Sequence, residues 1–424
     1  MKILGKHTTL KQFICDAFEY LLTDHLFRFL GILTYPLIKS SKKTESKNER
    51  NILIVCDRSL QAEYLAETID LIKTDDRLKI RLLDFFRFDR KNGKNFILNK
   101  LPYKKISILK AFIYKWDLII TSSGWQRHLV TNERCKTLWI RHGIESGKRN
   151  LSRFTNKVCS KRKDNDCFTY SNYVYRNLRR GAMRFDCIFS SSDWNKTAAI
   201  QIDPQFDEVI KVVGLLQNDK MLDKYNHRSR LRHKIGLTTD KPAVFILSTW
   251  GPYCLFNMHG DKFLKKINSL TSEYDFILNI HPREHRPQPK NKRVWGNYLR
   301  TQKKEGILFR EPEDDWVEYM IVADIVISDF TSLCLNTALL KKPIIFVPFP
   351  ENVVVKNCLI TELKTIAPTL KPDFSDLKEK LEGSLHNYPL DKLEEFSKKV
   401  NSCPGQASEL MKKEIYKLLE LPQP

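Results

Sequence analysis

Short apolar runs rich in Ile, Val and Leu alternate with amphipathic stretches along most of the chain, and polar or turn-forming residues bound each run. Ile52 to Val55, Ile80 to Leu83, Trp116 to Ile120, Thr137 to Ile140, Cys187 to Phe189 and Val209 to Val213 form a first series. Ala243 to Leu247, Phe276 to Ile280, Ile307 to Phe309, Ile325 to Ile327 and Ile344 to Val347 form a second. Runs without polar interruption read as strands buried on both faces, and stretches such as Leu60 to Ile72 read as the helices that cover them. The pattern predicts an α/β protein with two Rossmann-like, doubly wound domains facing a cleft. The charged stretch from Asp219 to Lys234 is read as the link, which sets boundaries at 1–50 for an N-terminal segment, 51–235 for the first domain and 236–424 for the second with its terminal helices.

The N-terminal segment has its own pattern. Phe13, Ala17, Tyr20, Leu21, Phe27, Leu30 and Leu33 fall near one helical face, and a basic linker from Lys39 to Lys47 follows. Asp16, Glu19, Asp24 and Arg28 interrupt Leu10 to Ile38, so it reads as an amphipathic helix rather than a span. Such a helix either lies on an anionic membrane surface or packs on its own domain.

At 424 residues and 42% hydrophobic composition the chain has material for a large core. Lys and Arg number 72 against 50 acidic residues, a formal +22 that favours polyanionic partners. Nucleic acid is disfavoured, because the charge is spread along the chain and no recognition motif accompanies it. The 10 cysteines form no CxxC pair and no zinc spacing, so they read as reduced core thiols in a cytoplasmic protein. Neither Gly-x-Gly-x-x-Gly nor Gly-x4-Gly-Lys-Ser/Thr occurs, which argues against a dehydrogenase or a P-loop kinase.

Candidate chemistry sits at strand ends. After Ile325 to Ile327 come Ser328 and Asp329, and then Thr331 and Ser332 open a helix whose free first-turn N–H groups suit an anion. Many capped helices bind nothing, so this turn gains weight only from equivalent positions elsewhere. His142 and Gly143 follow the strand ending at Ile140, and the imidazole is a candidate general base. Lys148 and Arg149 on the loop beyond are candidate anion contacts. Thr249 and Trp250 follow Leu247 and offer a hydroxyl and a stacking surface. His281, with Pro282 fixing the backbone after it, is read as an imidazolium held beside a diphosphate, with Arg283, His285 and Arg286 extending the positive field.

The order His-Gly, Thr-Trp, Asn-Ile-His-Pro, then Ala-Asp-Ile-Val-Ile-Ser-Asp-Phe-Thr-Ser and Ala-Leu-Leu-Lys-Lys-Pro resembles the CDP-glycerol glycerophosphotransferase family of teichoic-acid and capsule synthesis, over Ile52 to Pro350. The resemblance implies a GT-B fold and transfer of a glycerol or ribitol phosphate from a CDP-activated donor to a hydroxyl of a lipid-linked or polysaccharide acceptor, with release of CMP. No cofactor and no metal ligand is assigned, since helix N–H groups and His281 can meet the charge, and the protein is expected in the cytoplasm, peripheral on the inner face of the cell membrane. Carried over by position, His142 is the acceptor base and His281 the histidine beside the donor diphosphate. Asp329, Thr331 and Ser332 match the phosphate turn. Read from the residues themselves, Arg283 is a further donor-phosphate contact, Thr249, Trp250 and Pro282 are nucleotide contacts, and Gly143, Lys148 and Arg149 are acceptor or anion contacts. Gly251 stands where the family usually places an arginine after the tryptophan. A GT-B glycosyltransferase using a nucleotide sugar in surface polysaccharide synthesis is the alternative.

Overall fold

The computed structural model describes residues 48–56, 59–84, 103–122, 135–140, 144, 185–201, 203–287, 293–354 and 356–424. The expected N-terminal helix and most of its basic linker lie outside the described residues, as do His142, Gly143, Lys148 and Arg149. Among the described residues, no helix is long and apolar enough to cross a membrane.

The first apolar series forms β1 (Arg50–Cys56), β2 (Leu78–Asp84), β4 (Leu118–Thr121), β5 (Lys136–Trp139), β6 (Cys187–Ser190) and β7 (Ile210–Val212), with a two-residue edge, β3 (Lys104–Lys105), that carries no apolar signal. They make a seven-stranded sheet in the order β3-β2-β1-β4-β5-β6-β7, parallel throughout. The second series forms β8 (Ala243–Ser248), β9 (Asp275–Ile280), β10 (Ile307–Phe309), β11 (Ile325–Ser328) and β12 (Ile344–Phe346), parallel in the order β10-β9-β8-β11-β12. Both orders are doubly wound, and together they have the two-sheet GT-B-like arrangement.

The central strands are apolar along their length because each sheet is covered on both faces. Along β8, Val244 and Ile246 enter one core cluster while Ala243, Phe245 and Leu247 enter another. Along β1, Ile52, Ile54 and Cys56 separate in the same way from Leu53 and Val55. Register is held at the strand starts by aspartates just before three strands. Asp117 accepts from the N–H of Asn51 (2.7 Å), Asp186 from Thr137 (2.8 Å) and Asp324 from Ala243 (2.8 Å). Cys56, Cys135, Cys187, Cys254, Cys334 and Cys358 are buried. Burial pushes Cys187 and Cys254 up to about 12, so neither is a nucleophile at neutral pH.

Two segments differ from the reading of the sequence. The charged link is helical, Leu216–Tyr225 and Arg228–Lys234, and its cations bridge the two halves: Lys220 lies 3.6 Å from Glu67 and 3.2 Å from Asp315. The terminal helices also do not all belong with the second sheet. Beyond Val400 the chain crosses back, with Ser402 donating to the Ser191 carbonyl (3.0 Å) and Asp219 accepting from Gly405 (2.9 Å). The helix Ala407–Leu419 then lays Ala407, Met411, Ile415, Tyr416 and Leu419 into the core of the first sheet. Its apolar stripe is evident in the sequence, but a stripe does not name the surface that it covers.

Candidate active site

The chain builds β8, β9 and β10 outward on one side and then returns to place β11 on the other side of β8. The winding reverses at the carboxyl ends of β8 and β11, where open α/β sheets bind ligands. Ser248 pairs with Ile280 and Leu247 with Ser328, so the loops after β9, β8 and β11 start side by side. Three of the four strand ends singled out in the sequence therefore meet. Of the fourth, after β5, the described residues are Ile140, whose N–H donates to Thr121 (2.8 Å), and Ile144, both buried.

Asp329 organises this edge. Its carboxylate is fully buried and accepts from Thr249 N (3.0 Å to Oδ1, 2.8 Å to Oδ2), Leu255 N (3.0 Å), Thr331 N (3.0 Å) and the Ser248 hydroxyl (3.2 Å). A buried carboxylate persists when hydrogen bonds replace its lost water, and these backbone amides do so. Its place among phosphate ligands in the sequence reading is therefore corrected: the side chain points into the protein, where it holds the loops that flank the site. The turn differs in detail too. Ser332–Leu335 is a 3-10 turn that passes into the short α-helix Asn336–Leu339, and Thr331 is its N-cap without a side-chain cap bond. Asp329 accepts from the N–H of Thr331 itself, which fixes where the turn begins.

His281 donates its backbone N–H to Ser248 (3.1 Å), and its Nδ1 accepts from the N–H of Arg283 (3.1 Å). Pro282 occupies the first position of the 3-10 turn Pro282–His285 and fixes this geometry. A ring whose Nδ1 accepts is a neutral imidazole with its proton on Nε2. With Nδ1 accepting, the ring presents the N–H of Nε2 as its donor. Trp250 is 42% exposed, the Arg283 guanidinium sits 4.1 Å above its ring, and the His281 ring lies 6.1 Å away. Thr249 is buried, and what it contributes here is its backbone N–H to Asp329. The solvent-facing part is therefore an indole, a guanidinium and an imidazole beside the Thr331 turn.

His285 does not join the positive field. It is half-buried, and burial followed by the charge of Arg300 pushes it down to about 4. Phe309 lies against its ring at 5.9 Å, and Gly296 packs so closely that an added Cβ would come within 2.5 Å of Nδ1.

Reasoning from sequence missed a second buried carboxylate. Glu284, 1% exposed, accepts from the N–H of Gly251 (3.0 Å). The Gly251 carbonyl accepts from Asn257 (2.8 Å), whose Oδ1 in turn accepts from the Trp295 indole (2.6 Å). Gly251 has φ +94°, a conformation that glycine adopts freely, and it is clamped from both sides. The only sequence signals were a glycine after Trp250 and a glutamate inside a basic tract.

Residues 61–409 match the family described as CDP-glycerol:poly(glycerophosphate) glycerophosphotransferase. A teichoic acid poly(glycerol phosphate) polymerase of Bacillus spizizenii is 24% identical over 342 residues, 76% of each chain. The solved wall teichoic acid polymerase TagF has a TM-score of 0.63 at 14% identity, covering 97% of both chains. A TagF variant soaked with CDPG has a TM-score of 0.62 at 15% identity, covering 97% of this chain and 98% of that one. The S. aureus MnaA–UDP structure has a TM-score of 0.56 at 14% identity, covering 88% and 98%. At these identities the structural likeness establishes the fold.

Proposed function

The chain belongs to the CDP-glycerol:poly(glycerophosphate) glycerophosphotransferase family, and from that premise we propose how its own residues transfer a polyol phosphate in teichoic acid biosynthesis. The acceptor hydroxyl attacks the phosphorus that carries the polyol. A new O–P bond forms, the P–O bond to CMP breaks, and CMP leaves with the electron pair. The hydroxyl proton passes to His142, which follows β5 in the chain. Charge gathers on the departing CMP oxygen, and the Nε2–H of His281, Arg283 and the turn at Thr331 and Ser332 are the donors that meet it. Trp250 stacks on the cytosine, and Thr249 and Pro282 shape its pocket. Asp329 and Glu284 touch neither substrate; they hold the donor loops in place.

The donor binds the second half of the chain, 236–424, and the acceptor the first, 51–235, where Gly143, Lys148 and Arg149 follow the base. The acceptor is lipid-linked or a polysaccharide, met on the cytoplasmic face of the membrane. The amphipathic segment from Leu10 to Ile38 and the basic run after it support that placement. The observation that carries the reading is the grouping of His281 and Arg283 around Trp250 at the switch point of the second sheet, with Asp329 tying the loops of Thr249 and Thr331 together. Offering the protein CDP-glycerol, CDP-ribitol and sugar nucleotides, and measuring release of CMP or nucleoside diphosphate, tests it. CMP from a CDP-polyol supports it and names the donor; turnover of a sugar nucleotide alone moves the chain to the glycosyltransferases.

A further inference from the structure

The loop between β8 and the helix Leu255–Asn268 carries Trp250, and Asp329 ties it down at both ends through the N–H groups of Thr249 (2.8 Å) and Leu255 (3.0 Å). Between those anchors Gly251 is held on both its polar groups. Its N–H donates to buried Glu284 (3.0 Å), and its carbonyl accepts from Cys254 N (3.2 Å) and from the side chain of Asn257 (2.8 Å). Asn257, itself buried, accepts in turn from the Trp295 indole N–H (2.6 Å). That indole is packed tightly: the Phe256 ring lies 5.6 Å away, and a Cβ added to Gly260 would fall 2.1 Å from it. A Cβ added to Gly251 would meet nothing within 4 Å, so this glycine serves the backbone conformation, φ +94°, rather than space.

The helix that begins at Trp295, Trp295–Arg300, also packs on the turn that carries Arg283. Gly296 sits against His285 at the end of that turn, and Arg300 Nη2 lies 3.3 Å from His285 Nδ1. One helix therefore reaches the Trp250 loop through Asn257 and the Arg283 turn through His285, behind a guanidinium that stands 4.1 Å from the centre of the exposed indole. We propose that Asn257 and Trp295 are positioning residues for the nucleotide: the bonded path from Trp295 through Asn257 to Gly251 holds the loop so that the Trp250 ring is in place before a base stacks on it. Both act through Gly251 rather than on the ligand. The inference rests on the reading of Trp250 as a nucleotide contact. A ring on a loose loop must be ordered when the base arrives, whereas a ring held beforehand avoids that loss, a difference of up to about tenfold in affinity for one side chain.

Calorimetric titration of the full-length protein with CMP, with thermal unfolding recorded on the same samples, tests this as a double-mutant cycle. Trp250→Ala should weaken CMP binding at least about fivefold, the loss of one base–aromatic stack. Asn257→Leu should weaken it about three- to tenfold and lower the melting temperature, because it takes away the acceptor of the Trp295 N–H. In the Trp250→Ala background, Asn257→Leu should add less than about twofold to the loss of affinity, yet lower the melting temperature as much as it does alone. A role in folding alone does not predict that split. Trp295→Phe, which keeps an aromatic ring and removes the N–H, repeats the cycle should Asn257→Leu fail to fold. Absence of CMP binding to the wild type, or full affinity in Trp250→Ala, overturns the nucleotide reading of Trp250 and this inference with it. Weakened binding in Trp250→Ala beside full affinity in Asn257→Leu and Trp295→Phe, or losses that multiply in the double variant, overturns this inference alone.

Discussion

Replacing Asp329 with asparagine separates a carboxylate that positions loops from one that touches substrate. Among the described residues, three backbone N–H groups and one hydroxyl donate to the carboxylate, with both oxygens in use. Asparagine keeps one acceptor oxygen. If its NH₂ takes the place of Oδ1, the amide of Thr331 faces a donor; if it takes the place of Oδ2, the amide of Leu255 does. Either orientation also gives up charge assistance on the bonds that remain. A bond to a charged group contributes about 1.5–3 kcal/mol, and a stranded buried donor costs a similar amount, so Asp329→Asn should lose about 2–4 kcal/mol. Asp329→Ala strands every donor and should approach the stability of a whole domain, about 5–15 kcal/mol, leaving the second sheet largely unfolded. Urea unfolding followed by circular dichroism reads the first loss as a lower midpoint at unchanged slope. Below the transition the asparagine variant should also release CMP more slowly at saturating donor, because Thr249 and Thr331 no longer hold their places. Unchanged stability with only a raised KM for donor would refute the reasoning and return Asp329 to the phosphate ligands.

Arg283 is exposed and stacks on Trp250, so Arg283→Ala should leave the unfolding midpoint within about 0.5 kcal/mol of the wild type. The same change should reduce kcat/KM for a CDP-polyol by roughly the 1.5–3 kcal/mol of one charge-assisted contact, measured by initial rates of CMP release. His285 predicts a pH dependence: its folded value near 4 lies below the unfolded 6.5, so the unfolded chain binds the extra proton between them. Stability from this group is complete above about pH 6.5 and is lost as pH falls towards 4, by up to about 3 kcal/mol. Urea midpoints from pH 4 to 7 should show that slope in the wild type and a flatter one in His285→Gln.

The sheets were legible because central strands such as β1, β8, β9 and β11 are buried on both faces and read as apolar runs, whereas β2 interrupts its run with exposed Lys79 and β3, two exposed lysines, carries no such signal. Strand ends were legible as well, and they place Thr249, His281 and Thr331 at neighbouring strand tips. The direction of each side chain was not. Nothing in Ser-Asp-Phe-Thr-Ser says that the aspartate turns inward, because that depends on amides from β8 and from the helix Leu255–Asn268, remote in sequence. Lys342 shows the same limit. It reads as a cation closing its own helix, yet it is buried and donates to Ile321 (2.9 Å) and Ala323 at the end of another helix, and burial pushes it down to about 7. Spacing reveals which residues share an element, while partners across the fold decide what a polar group does.

The central claim, that the strand tips of the second sheet carry the transfer, is tested most directly by comparing CMP release from CDP-glycerol by the wild type and by His281→Ala, with thermal unfolding recorded on the same samples. An Nε2–H that meets charge on the leaving CMP predicts a fall in kcat of about 10²–10³ at an unchanged melting temperature. Full activity in a folded His281→Ala protein would contradict the account.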